Sequence, residues 1–271
     1  MWHIYEIDAR SGHTLARDSS NLPSTGMEGL RGQIHLWYSS LDLPRSTIQQ
    51  LKLTLDSNER TRANRICSDL ERNRFIVGRG LLRKILGHYS GIEPTGLHII
   101  CDCRGKPALR EAFGEPQIHF NLAHSCGRVL YAIALDRKVG VDLERVTPNV
   151  DSEQIANRFF SDREKAVIHG LAGIDKQKAF FTIWTAKEAY SKAFGTGLAY
   201  TLKEVEIPDY LAPLSSVCSG SNDSRWFIWW LSPERKFMAA LVVQEPLHHP
   251  IMQNCHSGCV SGMLSQPYAA R

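Results

Sequence analysis

The chain has no run of about 18 consecutive apolar residues, the length a membrane-crossing helix needs, so no transmembrane span is expected. Its opening, MWHIYEIDARSGH, has no basic start followed by an apolar core, so no secretory signal is expected either. It also lacks a metal-type grid of cysteines and histidines. The seven cysteines are scattered, Cys101 and Cys103 stand too close for an ordinary disulfide, and Cys255 and Cys259 beside His256 make only one short cluster. Reduced thiols in a cytoplasmic protein are therefore expected. Nor does one sign of charge dominate. With 32 Lys and Arg against 28 Asp and Glu, the net charge of +4 is mildly basic. That balance suits an anionic ligand or an acidic protein partner and does not by itself indicate nucleic acid.

What is present is a soluble composition, 43% apolar and 22% charged in 271 residues, enough for one large domain or two modest lobes. Residues 1–31 read as a loose N-terminal segment, because 11–30 are polar and turn-rich. Residues 32–136 then read as an N-terminal lobe, 137–245 as a C-terminal lobe, and 246–271 as a poorly ordered tail rich in His, Ser, Gly and Pro. GQIHLWYSSL (32–41) alternates like a strand, and helix starts are offered at Ser46 and Ser57. Residues 69–91 carry apolar side chains at amphipathic-helix spacing, with an expected end at Gly87. A strand and turn follow over GLHIICDCRGKPAL, then three consecutive strands over QIHFNLAHS, RVLYAIALD and KVGVDLERV. The second half offers a helix over 150–171 capped by Asp151 or Ser152, and a long helix over 176–197 ended by Gly195 and Gly197. A strand, turn and strand occupy 224–244. Each half thus has a basic helix ending in glycine followed by strands. Setting Gly87 against Gly195 places Arg79 opposite Lys187 and Lys84 opposite Lys192.

Four constellations could carry chemistry. On the strand VGVDLERV, Asp142 and Glu144 point the same way, with Cβ atoms roughly 7 Å apart. That separation suits two oxygen ligands of one hard divalent cation, since Mg²⁺ takes few carboxylates and completes its shell with water and phosphate. Taken alone, the stretch favours a solvated face neutralised by Arg137, Lys138 and Arg145. On the later helix, Trp184, Glu188 and Lys192 share one face, with Lys187 beside them. An exposed Glu188–Lys192 pair would be worth only a few tenths of a kcal/mol, but Trp184 at the head of the stripe argues that this face is covered. A covered Glu188 suits a third metal ligand or a general base. From Glu59 to Lys84 eight cations face three anions, either a solvated helix face or a grip for phosphate. Finally, Lys106 sits in a Gly–Pro turn and His124 and Ser125 end a strand, where function collects.

GVDLE (140–144) followed by WTAKEAYSKAFGTGL (184–198), with GKPAL, FNLAHS and RFFSDRE in order, resembles the signature motifs of the 4′-phosphopantetheinyl transferase superfamily. The resemblance covers roughly residues 33–245, and the length with both halves in one chain is similar to the Sfp-type branch. It implies an α+β fold of two similar lobes about a pseudo-twofold axis, with coenzyme A in the cleft between them. Asp142, Glu144 and Glu188 match the Mg²⁺ ligands, and Glu188 also the proposed general base. Lys192 matches the lysine at the pyrophosphate. Arg60, Arg74, Lys106, His124 and Ser125 match positions at the coenzyme A phosphates, chiefly the 3′-phosphate, and Lys187 lies in the same motif. Two positions depart from the pattern: Ala123 stands where a serine is frequent, and Ala63 where a second basic residue is expected, with Arg62 or Arg65 as its candidate substitute.

The activity so implied is Mg²⁺-dependent transfer of 4′-phosphopantetheine from coenzyme A to a serine of an apo acyl or peptidyl carrier protein by a monomer. No nucleic acid or membrane is involved. The carboxylates would also serve a Mg²⁺-dependent phosphohydrolase or nuclease, and the basic run 59–84 a non-enzymatic nucleic-acid or protein-binding module, although the latter leaves Asp142, Glu144 and Glu188 without a role.

Overall fold

The computed structural model describes residues 3–8, 14–18, 26–101, 105–110, 116–148, 150–195, 205–207, 214–218 and 225–244. The tail after Pro246, with Cys255, His256 and Cys259, lies outside them, as do Cys103 and Gly197. Among the described residues no helix is long and apolar enough to cross a membrane, and Cys67, Cys101 and Cys126 are free thiols. The chain divides at Asp136 into two compact units, each α+β.

In the first unit, α1 (Arg45–Leu53), α2 (Ser57–Arg65) and α3 (Asp69–Ser90) follow β3 (Gln33–Ser40). The hairpin of β6 (Ile118–Ser125) and β7 (Arg128–Leu135) comes after them. Between α3 and β6 the strand-and-turn expectation resolves into two three-residue strands, β4 (Ile99–Cys101) and β5 (Pro107–Leu109), paired with each other. The segment expected to be loose contributes β1 (His3–Asp8) and β2 (Thr14–Asp18) to a sheet ordered β2-β1-β3-β7-β6. These strands are five and six residues long, too short for periodicity to announce them, and β1 forms by pairing along β3. Val77, Leu81, Leu82, Ile85 and Leu86 of α3 pack with Trp37, Phe120, Val129, Tyr131 and Ile133 in the core.

Helix ends differ from expectation for identifiable reasons. Pro44, not Ser46, precedes α1, where its missing N–H costs nothing. Asp56, not Ser57, caps α2: it accepts from Glu59 N at 2.8 Å while Glu59 returns to Asp56 N at 3.2 Å. α3 runs past Gly87 to Ser90, because Gly91 takes the left-handed conformation (φ 70°) that closes the helix.

In the second unit, β8 (Val139–Arg145) leads into α4 (Ser152–Phe159), α5 (Asp162–Gly170) and α6 (Gly173–Phe194). A sheet ordered β8-β11-β10-β9 is completed by β9 (Leu214–Cys218), which the sequence reading missed, β10 (Arg225–Leu231) and β11 (Phe237–Gln244). β7 and β8 are consecutive in the chain yet belong to different sheets. The single helix expected over 150–171 is two, since Ser161 and Glu164 form a second capping box that restarts the backbone after Phe160. Asp151 caps the first as expected, accepting from Gln154 N at 3.0 Å.

The internal repeat is thereby real in topology but shifted in register. Each unit runs strand, two short helices, a 22-residue helix and an antiparallel hairpin, with β3-β7-β6 matching β8-β11-β10. The left-handed glycines that end the long helices are Gly91 and Gly195. In that register Arg83 stands opposite Lys187, Lys84 opposite Glu188 and His88 opposite Lys192.

α6 lies directly on the β8–β11 surface, and Gly140 permits it. A Cβ at Gly140 would come within 2.1 Å of Ala189 O, 2.5 Å of Ala193 N and 2.8 Å of Ala193 Cβ. Two of those atoms are helix backbone and cannot rotate away, so an added methyl must lift the helix. Gly140→Ala should therefore destabilise the fold by about 3 kcal/mol, at the upper end of ordinary overpacking. Urea denaturation of the two proteins measures this.

Candidate active site

Gly140, Asp142 and Glu144 share the face of β8 turned to α6, opposite Val242, Ala240 and Met238 of β11. On α6, Glu188 and Lys192 are one turn apart, and Ala189 and Ala193 sit on Gly140. The close seating at Gly140 therefore brings four of the five charged side chains of the two motifs together, Asp142, Glu144, Glu188 and Lys192. Asp142 is only 4% exposed, so a solvated acidic face is ruled out for it. Lys192 donates from Nζ to Asp142 Oδ1 at 2.7 Å. Glu188 is buried and Glu144 half-buried. Trp184 heads the stripe as expected, stacked on Phe180 at 6.0 Å and edge-on to Phe159 at 5.9 Å, and it covers the helix face one turn before Glu188.

Burial pushes the Glu188 carboxyl up to about 7. The negative charges of Asp142 and Glu144 push the same way, and Lys192 opposes them. Glu188 thus lies near enough to Asp142 and Glu144 to feel both charges. An all-oxygen, negatively charged donor set that penalises its own ionisation is the chemistry a hard divalent cation relieves. No three His, Cys, Asp or Glu side chains among the described residues form a preassembled metal cage. Asp142, Glu144 and Glu188 are thus neighbours in charge without enclosing a cation site by themselves.

Lys187, expected at the ligand, is placed elsewhere. Its side chain is 0% exposed, its Nζ lies 2.9 Å from Glu164 Oε2 and donates to Val205 O at 2.5 Å, and it sits 5.7 Å from the Phe160 ring centroid. Burial holds the ammonium below its ordinary value against the pull of Glu164. One residue's step along a helix is about 100°, which turns Lys187 away from the face that Glu188 presents.

The remaining candidates belong to the first unit. Arg74 is gripped by Asp42, Nε to Oδ1 at 2.7 Å and Nη2 to Oδ2 at 2.9 Å, and its Nη1 reaches Glu71 at 3.2 Å. These bonds hold the Asp42 carboxyl below its usual range. Gly127 makes room for the pair: a Cβ there would lie 2.6 Å from Asp42 Oδ2 and 2.9 Å from Arg74 Nη2. His124 and Ser125 end β6 beside this turn, His124 exposed, with Ser125 opposite Arg128 in register. Arg128 donates to Ser40 Oγ at 3.4 Å. Arg60 donates from Nη1 to Leu55 O at 2.7 Å. Lys106 is half-buried after Gly105, whose φ of 82° sets the turn.

One departure from the motif has a packing reason. Ala63 is 0% exposed in the core, where a basic side chain has no room, whereas Arg62 and Arg65 are exposed, Arg62 5.2 Å from the Phe75 ring centroid. Ala123 is 3% exposed.

Sequence reasoning missed Glu164 and Asp42. Ser161 and Glu164 carry a capping-box signature that could have flagged the first. Nothing local marks Asp42, which meets Arg74 only through the fold.

Comparisons with known proteins identify the family. The profile of the 4′-phosphopantetheinyl transferase superfamily matches residues 138–242. The profile of the 4′-phosphopantetheinyl transferase N-terminal region matches 44–136. The chain is 42% identical over 214 residues to the 4′-phosphopantetheinyl transferase HetI of Nostoc, covering 79% of this chain and 89% of that protein. It is 30% identical over 181 residues to a 4′-phosphopantetheinyl transferase of Bacillus pumilus, covering 62% and 75%. It is 25% identical over 171 residues to the transferase Sfp of Bacillus subtilis, covering 59% and 74%. With both profiles matched in order, and a relative of this identity matched over most of both lengths, the chain belongs to the 4′-phosphopantetheinyl transferase superfamily.

Proposed function

We propose that this enzyme transfers the 4′-phosphopantetheine arm of coenzyme A to a serine hydroxyl of an apo acyl or peptidyl carrier protein. The observation that carries the reading is the joint placement of Asp142, Glu188 and Lys192 on the seat made by Gly140. The serine oxygen bonds to the β-phosphorus, the phosphorus–oxygen bond to the nucleotide breaks, and 3′,5′-ADP leaves with the electron pair. Glu188 accepts the serine proton, and a carboxyl held near 7 is matched to that task at neutral pH. Lys192 carries a fixed positive charge beside Asp142, suited to the diphosphate oxygens on which charge grows. Asp142, Glu144 and Glu188 would hold Mg²⁺, which when bound neutralises the diphosphate.

Arg60, Arg74, Lys106, His124 and Ser125 are proposed for the coenzyme A phosphates, with Arg74 held in place by Asp42. A monomer acting in the cytoplasm on an acidic carrier, with no part for nucleic acid, belongs to the same proposal. So does the pseudo-twofold arrangement that the resemblance to the superfamily implies, with coenzyme A between the lobes.

Incubating the protein with coenzyme A, Mg²⁺ and several apo-carriers should add roughly 340 Da to one of them, a covalent modification read by mass spectrometry. Asp142→Ala should abolish this gain with an unchanged far-UV circular dichroism spectrum, and full transfer by that variant would sink the site assignment. Breakdown of coenzyme A without any carrier would instead favour a phosphohydrolase.

Glu188 also links stability to pH. Its folded value of about 7 exceeds the ordinary 4.5, so between these values the folded chain keeps a proton that the unfolded chain has released. Stability is fully present below about 4.5 and declines as pH rises toward 7, by about 3 kcal/mol at one unit per 1.36 kcal/mol. Glu188→Gln, neutral throughout, should melt above the parent at pH 8 in chelator-treated protein, converge with it near pH 4, and transfer nothing. Thermal melts across this range provide the check.

A further inference from the structure

We infer that Lys187 and Glu164 form a positioning pair that fixes the rotation of α6 and so delivers Glu188 and Lys192 to Asp142. The inference rests on the proposed roles of Glu188 and Lys192. It gives Lys187 a part in the reaction without contact with the ligand.

The pair is anchored on both sides. Lys187 Nζ holds Glu164 Oε2 at 2.9 Å and Val205 O at 2.5 Å. Glu164 in turn accepts from Ser161 N at 2.7 Å and from Ile207 N at 2.9 Å. One ion pair therefore ties α6 to the first turn of α5 and to the segment 205–207. On the far side, α6 meets β8 through Ala189 and Ala193 over Gly140. Small residues over a glycine set a distance of approach, but they offer no side chain that resists rotation about the helix axis. The buried ammonium supplies that resistance, one residue before Glu188.

The first unit supports a structural reading of the device. Arg83, opposite Lys187 in the repeat, is also 0% exposed and bonds Glu59 at 2.5 Å, and Glu59, like Glu164, belongs to a capping box. Arg83 likewise grips backbone after its helix, donating to Pro94 O at 2.8 Å and Leu97 O at 3.1 Å. Yet His88, opposite Lys192, lies edge-on to Trp37 at 6.1 Å, where the second unit sets Lys192 on Asp142. The clamp is thus kept where the position of Lys192 holds a histidine packed on a ring. Swinging Lys187 out to a phosphate would also strand the Glu164 carboxylate, 3% exposed, in the interior.

The test is a double-mutant cycle of Lys187→Met, Glu164→Gln and the pair, with Lys187→Arg as the charge-conserving variant. Steady-state kcat and KM for coenzyme A, Mn²⁺ affinity by electron paramagnetic resonance and urea midpoints are measured for each. Both single variants should lower kcat by about tenfold or more and weaken Mn²⁺ binding, in the range found when residues behind metal ligands are changed. KM for coenzyme A should stay within about twofold, and the double variant should be no worse than the poorer single. Lys187→Arg should recover part of the loss. A raised KM in Lys187→Met that Glu164→Gln does not share would overturn the inference in favour of direct ligand contact. Lower urea midpoints with kcat and Mn²⁺ affinity per folded molecule unchanged would reduce the pair to stability alone and equally overturn it. Glu164→Gln keeps its hydrogen-bonding groups, so it remains informative if Lys187→Met does not fold. Should the parent protein modify no carrier, the proposed function fails, while the Mn²⁺ affinities still decide whether the pair positions the carboxylates.

Discussion

The approach of α6 to β8 over Gly140 is the constraint on which the second unit depends. A strand and a helix whose backbones nearly touch can project side chains toward one another only where the interface ends. Asp142 and Glu144 lie just beyond the glycine along the strand, and Glu188 and Lys192 flank the alanines that rest on it. The same closeness buries Asp142 and Glu188. Once buried, these groups act on each other through a medium of lower polarizability than water, and the Glu188 carboxyl rises toward neutrality. Geometry and electrostatics are here two outcomes of a missing methyl group.

Placing three carboxylates and a lysine in this way works against stability, as sites commonly do. The second unit holds them with interactions that do not take part: the Lys187–Glu164 pair, the Phe160–Phe180–Trp184 stack and the small-residue seat. The first unit uses the same plan with different occupants. Its buried cation is Arg83, its capping carboxylates are Asp56 and Glu59, and His88, edge-on to Trp37, stands where the second unit has Lys192. Its own charged feature lies at the β6–β7 turn, where Asp42 orients Arg74 beside Gly127. Two copies of one supersecondary plan have thus been specialised, one toward carboxylates and the other toward cations.

Much of this could be read from the sequence, because it depends on neighbours along the chain. The two-residue alternation around Asp142 and Glu144, the helical spacing of Trp184, Glu188 and Lys192, and the paired motifs identified the charged residues and the superfamily. The long helices and the β6–β7 hairpin followed from periodicity and glycine. Short features escaped: β1, β2 and β9 carry too few residues to show a period, and the capping box at Ser161 split a helix that hydrophobic spacing alone would have continued.

What only the tertiary structure decided concerns pairs far apart in the chain. Lys187 and Glu188 are adjacent and equally charged in magnitude, yet one turns to Glu164 in the interior and the other to Asp142. That division follows the rotation of α6, which turns Lys187 to Glu164 and Val205 O and turns Glu188 to β8. Arg74 is one arginine among many in the basic run until Asp42, brought near by the turn at Gly127, fixes its fork. The sequence by itself determined which groups were present and the local structure that spaces them. Which of them meet is a property of packing, because burial and contact depend on backbone distances that no local period encodes.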